Sequence, residues 1–259
     1  MKTSILITND DGPNSPFLAP LASELSSLGN ITVCVPAVQQ SAIGTAFSAQ
    51  YPISYYEEQL NGGKMYIVSG SPIDCFRMAY HNLVGKRPDI VVSGINLGEN
   101  LSLISTASSG TLGVVSYAAM HGISGIAFSQ EVRLEALKYH RGSIDLPASI
   151  PSKLAKRMVS AILKKGMPEG ADFLNVNFPA GVKMSTPIKI TPLSKAYYKD
   201  ALDPRKDPHG RLYYWNAGKP VLKGAKGTDT YELKSGFVSV TPIALPHSPK
   251  TQLLPDFFR

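Results

Sequence analysis

Two adjacent aspartates near the amino terminus are the residues best suited to chemistry in this sequence. Asp10 and Asp11 directly follow residues 4–8, whose apolar character predicts a short buried strand. Two neighbouring carboxylates repel each other, and a cation bound to both removes that cost. Hard divalent ions such as Mg²⁺, Mn²⁺ and Ca²⁺ prefer oxygen ligands of this kind. The pair therefore predicts a metal site at the carboxyl end of the first strand.

Further oxygen-bearing side chains follow later predicted strands. Ser41 lies in a loop of small residues after the second strand, and Asn96 follows the strand predicted at 90–92. The segment Ser109–Thr111 opens a predicted helix, whose first backbone N–H groups and hydroxyls suit an anion such as phosphate. Ligands of open α/β sheets bind beyond the carboxyl ends of the strands, so we expect these groups to meet the two aspartates there. A metal, a water and a phosphate site together indicate phosphoester hydrolysis.

Alternating strand and helix patterns surround these residues. After the strand at 4–8, Ser15 and Pro16 predict the start of a helix that ends at Gly29, and residues 31–35 predict a second strand. This βαβ opening favours an α/β fold with a doubly wound, mostly parallel, Rossmann-like sheet.

Another helix start is predicted in the first half of the chain. Ser71 is placed to cap the helix, Pro72 to begin it, and Asp74 to occupy the third position, as in a capping box. We therefore interpret Ser71 and Asp74 as structural residues. Later helices are predicted at 109–121 and 151–165.

The composition changes in the last third of the chain. Short strand patterns there alternate with links rich in Pro, Gly and Asp, and long helical patterns are absent. We therefore divide the chain into an α/β catalytic core at 1–181 and a β-rich extension at 182–259. The extension is predicted to be an antiparallel β appendage that packs back on the core and serves oligomerisation. Its aromatic residues Tyr213, Tyr214 and Trp215 suit hairpin packing or a subunit interface, or alternatively stacking on a nucleobase.

The overall composition is that of a folded protein. Of the 259 residues, 43% are hydrophobic and 17% charged, which excludes a disordered chain. No apolar run approaches the ~18 residues that span a bilayer, and the amino terminus lacks a signal-peptide pattern. We therefore expect a cytoplasmic protein with no membrane partner. Cys34 and Cys75 lie in apolar settings that predict core packing, and no Cys and His spacing suggests zinc.

The net charge of +7 is concentrated in the second half of the chain. Residues 1–129 carry 5 Lys and Arg and 8 Asp and Glu, whereas residues 130–259 carry 21 and 11. A basic half attracts anionic substrates or, non-specifically, nucleic acid. The basic residues are scattered, which favours a solvated surface and no specific nucleic-acid partner. A non-catalytic nucleotide- or RNA-binding protein that uses this basic, aromatic-rich half is the alternative to an enzyme.

Five motifs together resemble the SurE family of metal-dependent 5′/3′-nucleotidases. They are Thr8–Gly12, Ser71–Cys75, Pro88–Asn96, Ser109–Thr111 and Gly227–Asp229. The resemblance covers essentially the whole chain, and the first and fourth motifs are highly specific in that order and position. It implies hydrolysis of nucleoside 5′- or 3′-monophosphates with one divalent ion per subunit, Mg²⁺ or Mn²⁺. It also implies a homodimer or homotetramer.

The resemblance further implies roles for individual residues. The family's metal ligands match Asp10, Asp11, Ser41 and Asn96. The family's phosphate contacts match Asn9, Asn100, Ser109, Gly110 and Thr111. Asn9 thereby joins the two aspartates as a catalytic residue. The chain departs from many members at Ser108, where they carry tyrosine, and around Ser41, where their arginine is absent. The second departure bears on substrate preference and leaves the metal ligands in place.

The predicted mechanism is attack by a water that the metal activates, with Asp10 orienting the water or acting as base. A covalent variant makes an aspartate the nucleophile, as in aspartyl-phosphate enzymes. Those enzymes place a DxD pair after the first strand, whereas the acids here are adjacent, which favours attack by water. A nicotinamide-dependent oxidoreductase is excluded because no GxGxxG fingerprint is present.

Overall fold

A nine-stranded sheet forms the centre of the protein within the residues that the structure describes. This computed structural model describes residues 2–61, 63–132, 146–195, 197–199, 201–221 and 224–245. The strands are β1 (Ser4–Thr8), β2 (Asn30–Pro36), β3 (Tyr55–Leu60), β4 (Gly63–Val68), β5 (Ile90–Leu97), β6 (Ser124–Gln130), β7 (Phe173–Phe178), β8 (Ile188–Ile190), β9 (Tyr197–Lys199), β10 (Leu202–Lys206), β11 (Leu212–Asn216), β12 (Lys219–Val221) and β13 (Val238–Ile243). The strand order of the sheet is β3-β4-β2-β1-β5-β6-β7-β13-β8.

Helices cover both faces of this sheet. They are α1 (Leu18–Leu25), α2 (Pro72–Met78), α3 (Ser102–Ser108), α4 (Gly110–Met120), α5 (Ser149–Lys165) and α6 (Asp229–Lys234). Side chains of β1 alternate between two hydrophobic clusters: Ile5 and Ile7 pack with α1 and α5, and Leu6 packs with α2 and α4. None of the helices in the described ranges has the length and apolar character to cross a membrane.

The central strands are parallel and buried. Every residue of β1 and β5 is buried, as expected for strands covered on both faces by helices. Parallel pairing runs from β4 through β2, β1, β5 and β6 to β7, while β3 and β13 pair antiparallel with β4 and β7. The predicted doubly wound, mostly parallel α/β fold is confirmed.

Part of the predicted extension belongs to this central sheet. β13 lies between β7 and β8 and pairs with both. Outside the sheet, β10 pairs with β11, and β9 with β12, in two small antiparallel units. We call β10 and β11 the aromatic hairpin, since Tyr213, Tyr214 and Trp215 lie on it. Because the sheet crosses the proposed division between 181 and 182, that domain boundary stays a prediction.

Local sequence signals place one helix start correctly and misplace another. The capping box at α2 is present: the Ser71 N–H donates to Asp74 Oδ2 at 3.0 Å, and the Asp74 N–H donates to Ser71 Oγ at 3.2 Å. By contrast, α1 begins at Leu18, so the predicted start at Pro16 is wrong. The Leu18 N–H donates to the Ser15 carbonyl at 3.1 Å and closes a separate turn before the helix.

Candidate active site

Asp10 and Asp11 lie where β1 ends. Asp10 is buried and Asp11 is half-buried. The hydroxyl of Thr111 donates a hydrogen bond to Asp10 Oδ1 at 2.6 Å, and the Leu97 N–H donates to Asp11 Oδ2 at 2.9 Å. One oxygen of each carboxylate is therefore oriented by a neighbouring element, α4 for Asp10 and β5 for Asp11. These bonds bring together three of the segments that were expected to meet at this edge of the sheet.

Asn96 is buried near the end of β5, the strand beside β1. Its Nδ2 donates to the Gly98 carbonyl at 2.7 Å, which directs Oδ1, the atom that can bind a metal, away from Gly98. The pairing with β6 shifts register between Ser93 and Asn96. Gly94 allows the backbones of β5 and β6 to lie close together here, because a Cβ on Gly94 would lie 2.3 Å from the Phe128 carbonyl oxygen. A local irregularity of β5 thus places Asn96.

Ser41 lies in a loop that follows β2, which we call the Ser41 loop (residues 39–48). The Gln40 N–H donates to the Asp10 carbonyl at 2.7 Å, so the backbone of this loop contacts the carboxylate turn. The Ser41 side chain is exposed, and its Oγ accepts a hydrogen bond from Gln39 Nε2 at 3.1 Å. The structure places the loop beside the aspartates, and the metal contact of Ser41 itself stays a prediction.

The start of α4 lies against Asp10. Ser109 is the N-cap, and its Oγ accepts from the Leu112 N–H at 3.2 Å, which agrees with the predicted helix start. A Cβ on Gly110 would lie 3.0 Å from Asp10 Cβ, so glycine allows the backbone to approach the carboxylate. The first N–H groups of a helix have no partner within the helix and suit a bound anion. The position of α4 therefore fits a phosphate beside the aspartates.

The Ser41 loop and α4 are also in direct backbone contact. The Gly44 N–H donates at 2.9 Å to the carbonyl of Ser108, the last residue of α3, which directly precedes the N-cap of α4. A Cβ on Gly113 would lie 2.2 Å from the Gly44 carbonyl oxygen, so no larger residue fits without moving the loop. Gly44 itself has a φ of +60°, which glycine adopts readily. Two glycines therefore dock the loop on the helix.

Asn9 is fully buried within the carboxylate turn. Its Nδ2 donates to the Gly12 carbonyl at 2.9 Å, and its Oδ1 accepts from the Gly12 N–H at 3.0 Å. Both polar ends of the amide thus shape the turn that carries the aspartates. The predicted contact between Asn9 and a phosphate stays a prediction.

Asn100 is held by two buried asparagines of β7. The Asn100 N–H donates to Asn177 Oδ1 at 2.8 Å, and its carbonyl accepts from Asn175 Nδ2 at 2.8 Å and Asn177 Nδ2 at 3.0 Å. Its own Nδ2 donates to Ser129 Oγ at 3.0 Å. Sequence reasoning missed both β7 asparagines. The sequence does carry a signal for them: two polar residues, two positions apart, lie on the same face near the carboxyl end of a buried strand.

A buried aspartate of the predicted extension holds the segment that follows Asn100. Asp229, the first residue of α6, is fully buried and accepts backbone N–H bonds from Ser102 at 2.6 Å, Ser194 at 2.8 Å and Thr230 at 2.7 Å. Sequence reasoning noted the Gly-Thr-Asp motif but gave Asp229 no role and did not predict α3, which Ser102 begins. Asp229 ties the extension to the candidate site.

An ion-pair cluster contacts the same segment. Lys234 Nζ lies 2.7 Å from Glu131 Oε1 and 3.4 Å from Glu99 Oε1. Burial lowers the Lys234 pKa, but the hydrogen bonds and charges of Glu131 and Glu99 outweigh it and raise the pKa above its ordinary value. The lysine is therefore charged at neutral pH and links α6 to the residue before Asn100.

The donor set at this edge fits a hard divalent ion. Two carboxylates, an amide oxygen and a hydroxyl are the ligand types that Mg²⁺ and Mn²⁺ accept, usually together with water. In the part of the chain that the structure describes, His, Cys, Asp and Glu form no group of three that could hold a metal. Softer metals that need several imidazole or thiolate ligands therefore do not fit these residues.

Comparisons with known proteins identify the family of this chain. The family model described as survival protein SurE matches residues 5–200. The 5′-nucleotidase SurE of Methanosarcina acetivorans is 38% identical over 252 residues, which cover 95% of this chain and 93% of the relative. That of Archaeoglobus fulgidus is 40% identical over 241 residues, covering 93% and 91%. The crystal structure of the SurE protein from Aquifex aeolicus has a TM-score of 0.78 at 31% identity and covers 98% of this chain and 99% of that chain. This chain belongs to the survival protein SurE family.

Proposed function

We propose that this protein is a divalent-metal-dependent phosphomonoesterase that hydrolyses nucleoside 5′- and 3′-monophosphates. Its relatives are named 5′-nucleotidases. The observation that carries the proposal is the hydrogen bond from Thr111 to Asp10, because it joins the carboxylate pair to the start of α4. A metal site and an anion site are then adjacent, and a phosphate ester can contact both.

The roles of the residues follow from their positions. The proposed ligands of one Mg²⁺ or Mn²⁺ ion are Asp10, Asp11, Ser41 and Asn96. Such an ion, when bound, lowers the pKa of a bound water and neutralises phosphoryl charge. The backbone N–H groups at Gly110 and Thr111 donate to phosphoryl oxygens as negative charge develops on them. The Asp10 carboxylate orients the attacking water, and the Ser109 cap holds the helix start in place.

Asn9 and Asn100 are proposed phosphate contacts with a second, structural task. Asn9 bonds to the backbone of Gly12, and Asn100 Nδ2 bonds to Ser129. Each side-chain amide has two N–H donors and uses one of them in these bonds, so the second can donate to a phosphate oxygen. Before substrate binds, the same bonds hold each of the two side chains in place, which lowers the entropic cost of assembling the site.

Phosphate release from 5′-AMP and 3′-AMP tests the proposal. We expect release with Mn²⁺ or Mg²⁺, a fall to background after EDTA treatment, and recovery when excess metal is restored, because the bound ion activates the water. Activity that survives thorough chelation would contradict metal dependence. Tight, salt-sensitive RNA binding without any turnover would instead favour the non-catalytic alternative.

We also propose that the aromatic hairpin forms a subunit interface in a homodimer or homotetramer. Leu212 and Tyr214 lie on one face of β11 and are 59% and 56% exposed, and Trp215 lies on the other face and is 65% exposed. Both faces of the hairpin therefore carry exposed apolar side chains, which are typical of interaction surfaces. We expect a dimer or tetramer in sedimentation velocity and a monomer for the double variant Tyr214→Ser with Trp215→Ser. The control is Tyr56→Ser, which removes a 52% exposed ring from β3. A monomeric wild-type protein contradicts the proposal.

A further inference from the structure

A cleft beside the candidate active site has no role in the function described so far. Its volume is about 440 Å³, within the range of roughly 300–1,000 Å³ that is usual for small-molecule sites. Its lining includes Gln40, Ile43, Phe47, Ser48, Ser69 and Ser71.

The cleft lies next to the aspartate and helix site, because two residues of its lining contact that site. The Gln40 N–H donates to the Asp10 carbonyl at 2.7 Å, and Ile43 Cγ2 lies 3.1 Å from the position that a Cβ on Gly110 would take. One end of the cleft is therefore the wall of the proposed phosphate site. A molecule whose phosphate lies at the start of α4 can extend its remaining part toward this opening.

Both walls of the cleft are fixed by one buried carboxylate. Asp74 is fully buried, and its Oδ2 accepts from the Ser48 N–H at 3.0 Å, the Ser48 hydroxyl at 2.9 Å and the Ser71 N–H at 3.0 Å. Gly70 leaves room for this carboxylate, because a Cβ there would lie 2.6 Å from Asp74 Oδ2. The cleft is thus shaped in the protein alone, which lowers the cost of binding a ligand.

An aromatic ring is presented to the cleft. Phe47 is 47% exposed, although the Arg77 guanidinium carbon lies 4.9 Å from its ring centroid and the Tyr117 ring lies 6.2 Å away. These two neighbours hold the ring while part of its surface stays open. Nucleobases stack on aromatic rings of this kind. The amide of Gln40 can donate to or accept from polar groups of a base or a ribose. The Ser69 hydroxyl, whose oxygen already accepts from the Ser54 N–H at 2.9 Å, can donate to such groups.

We propose that this cleft binds the nucleoside part of the substrate, with the base stacked on Phe47. The inference rests on the proposed function, which supplies the position of the phosphate. It adds a specificity-determining residue outside the predicted site, on the same loop as Ser41.

Steady-state kinetics with two substrates test the proposal. Phe47→Ala is expected to raise KM for AMP about tenfold, the scale of one base stacked on one ring, and to leave kcat for AMP unchanged. Hydrolysis of glycerol 3-phosphate, which has no base, is expected to be unchanged in the same variant. Tyr56→Ala is the matched control, since Tyr56 is a 52% exposed ring on β3 that does not line the cleft. Phe47→Trp should restore the low KM for AMP.

A second variant and a binding measurement separate failure of this proposal from failure of the proposed function. Ala49 is an exposed residue of the cleft lining, and Ala49→Trp should fill the cleft and raise KM for AMP alone. Calorimetry with adenosine needs no turnover: we expect binding to the wild-type protein and at least tenfold weaker binding to Phe47→Ala.

Each outcome of these experiments decides one of the two ideas. Equal effects of Phe47→Ala on AMP and glycerol 3-phosphate, or no effect on AMP, overturn the nucleoside cleft and leave phosphatase activity standing. Adenosine binding that depends on Phe47, in a protein that hydrolyses neither ester, supports the cleft and overturns the proposed reaction.

Discussion

The Asp10→Asn variant is expected to release phosphate from AMP about 10³-fold more slowly than the wild-type protein. A bound divalent ion contributes several kcal/mol of charge stabilisation, and each 1.36 kcal/mol is a factor of ten in rate. Asparagine keeps the shape of the side chain, and its oxygen can still accept the hydrogen bond that Thr111 donates to Asp10 at 2.6 Å. The fold should therefore persist while the negative charge beside Asp11 is lost. Initial rates at several Mn²⁺ concentrations, with Mn²⁺ affinity from calorimetry, measure the effect.

Asp89→Asn is the matched control for this substitution. Asp89 lies at the opposite end of β1, where its carboxylate accepts the Ser4 N–H at 2.7 Å. Like Asp10, Asp89 lies at one end of β1, but this is the amino-terminal end of the strand, away from the candidate site. We expect wild-type turnover and metal affinity for this variant. Wild-type turnover of Asp10→Asn would mean that the metal does not bind here, and a trapped phosphoenzyme would favour the covalent mechanism.

Asp229→Ala is expected to lower the free energy of unfolding by about 3 kcal/mol, because it leaves buried backbone donors without an acceptor. The carboxylate is fully buried and bonds to Ser102, Ser194 and Thr230. Urea denaturation measures the change. Since Ser102 follows Asn100 closely, we also expect a lower kcat in the fraction that stays folded.

Asp207→Ala is the control for this buried aspartate. Asp207 also accepts two backbone N–H bonds, from His209 and Arg211, each at 2.8 Å, but it does so in the exposed turn of the aromatic hairpin. Water can replace those bonds, so we expect a change of less than about 1 kcal/mol. Equal destabilisation by the two variants would show that burial of Asp229 contributes nothing beyond its hydrogen bonds.

The central elements could be predicted because their signals are local. Residues 4–8 are an uninterrupted apolar run before two acids, and β1 has those bounds. Ser109 carries its capping signal in its own side chain, and α4 begins directly after it. The rule that parallel strands end at a shared edge then sufficed to place Asp10, Asp11 and α4 together.

Features that depend on contacts between distant segments could not be predicted in this way. The short β8 joins the sheet only through β13, about fifty residues later, so neither segment indicates its neighbour. Asn175 and Asn177 look like ordinary members of a strand until Asn100 is placed beside them. The start of α1 was misplaced because Pro16 suits a tight turn as well as a helix start. In each case a tertiary contact decides between local alternatives of similar energy.

The contact between Gly44 and Gly113 makes the Ser41 loop and α4 behave as a single rigid part. No side chain separates the two backbones, so nothing compressible lies between them. The loop carries a proposed metal ligand, and the helix carries the proposed phosphate donors. The distance between the proposed metal ligand and the proposed phosphate donors is therefore set before any substrate binds. A fixed distance of this kind suits every ester that has the same phosphoryl group. Selectivity among such esters must then come from the residues that contact the leaving group.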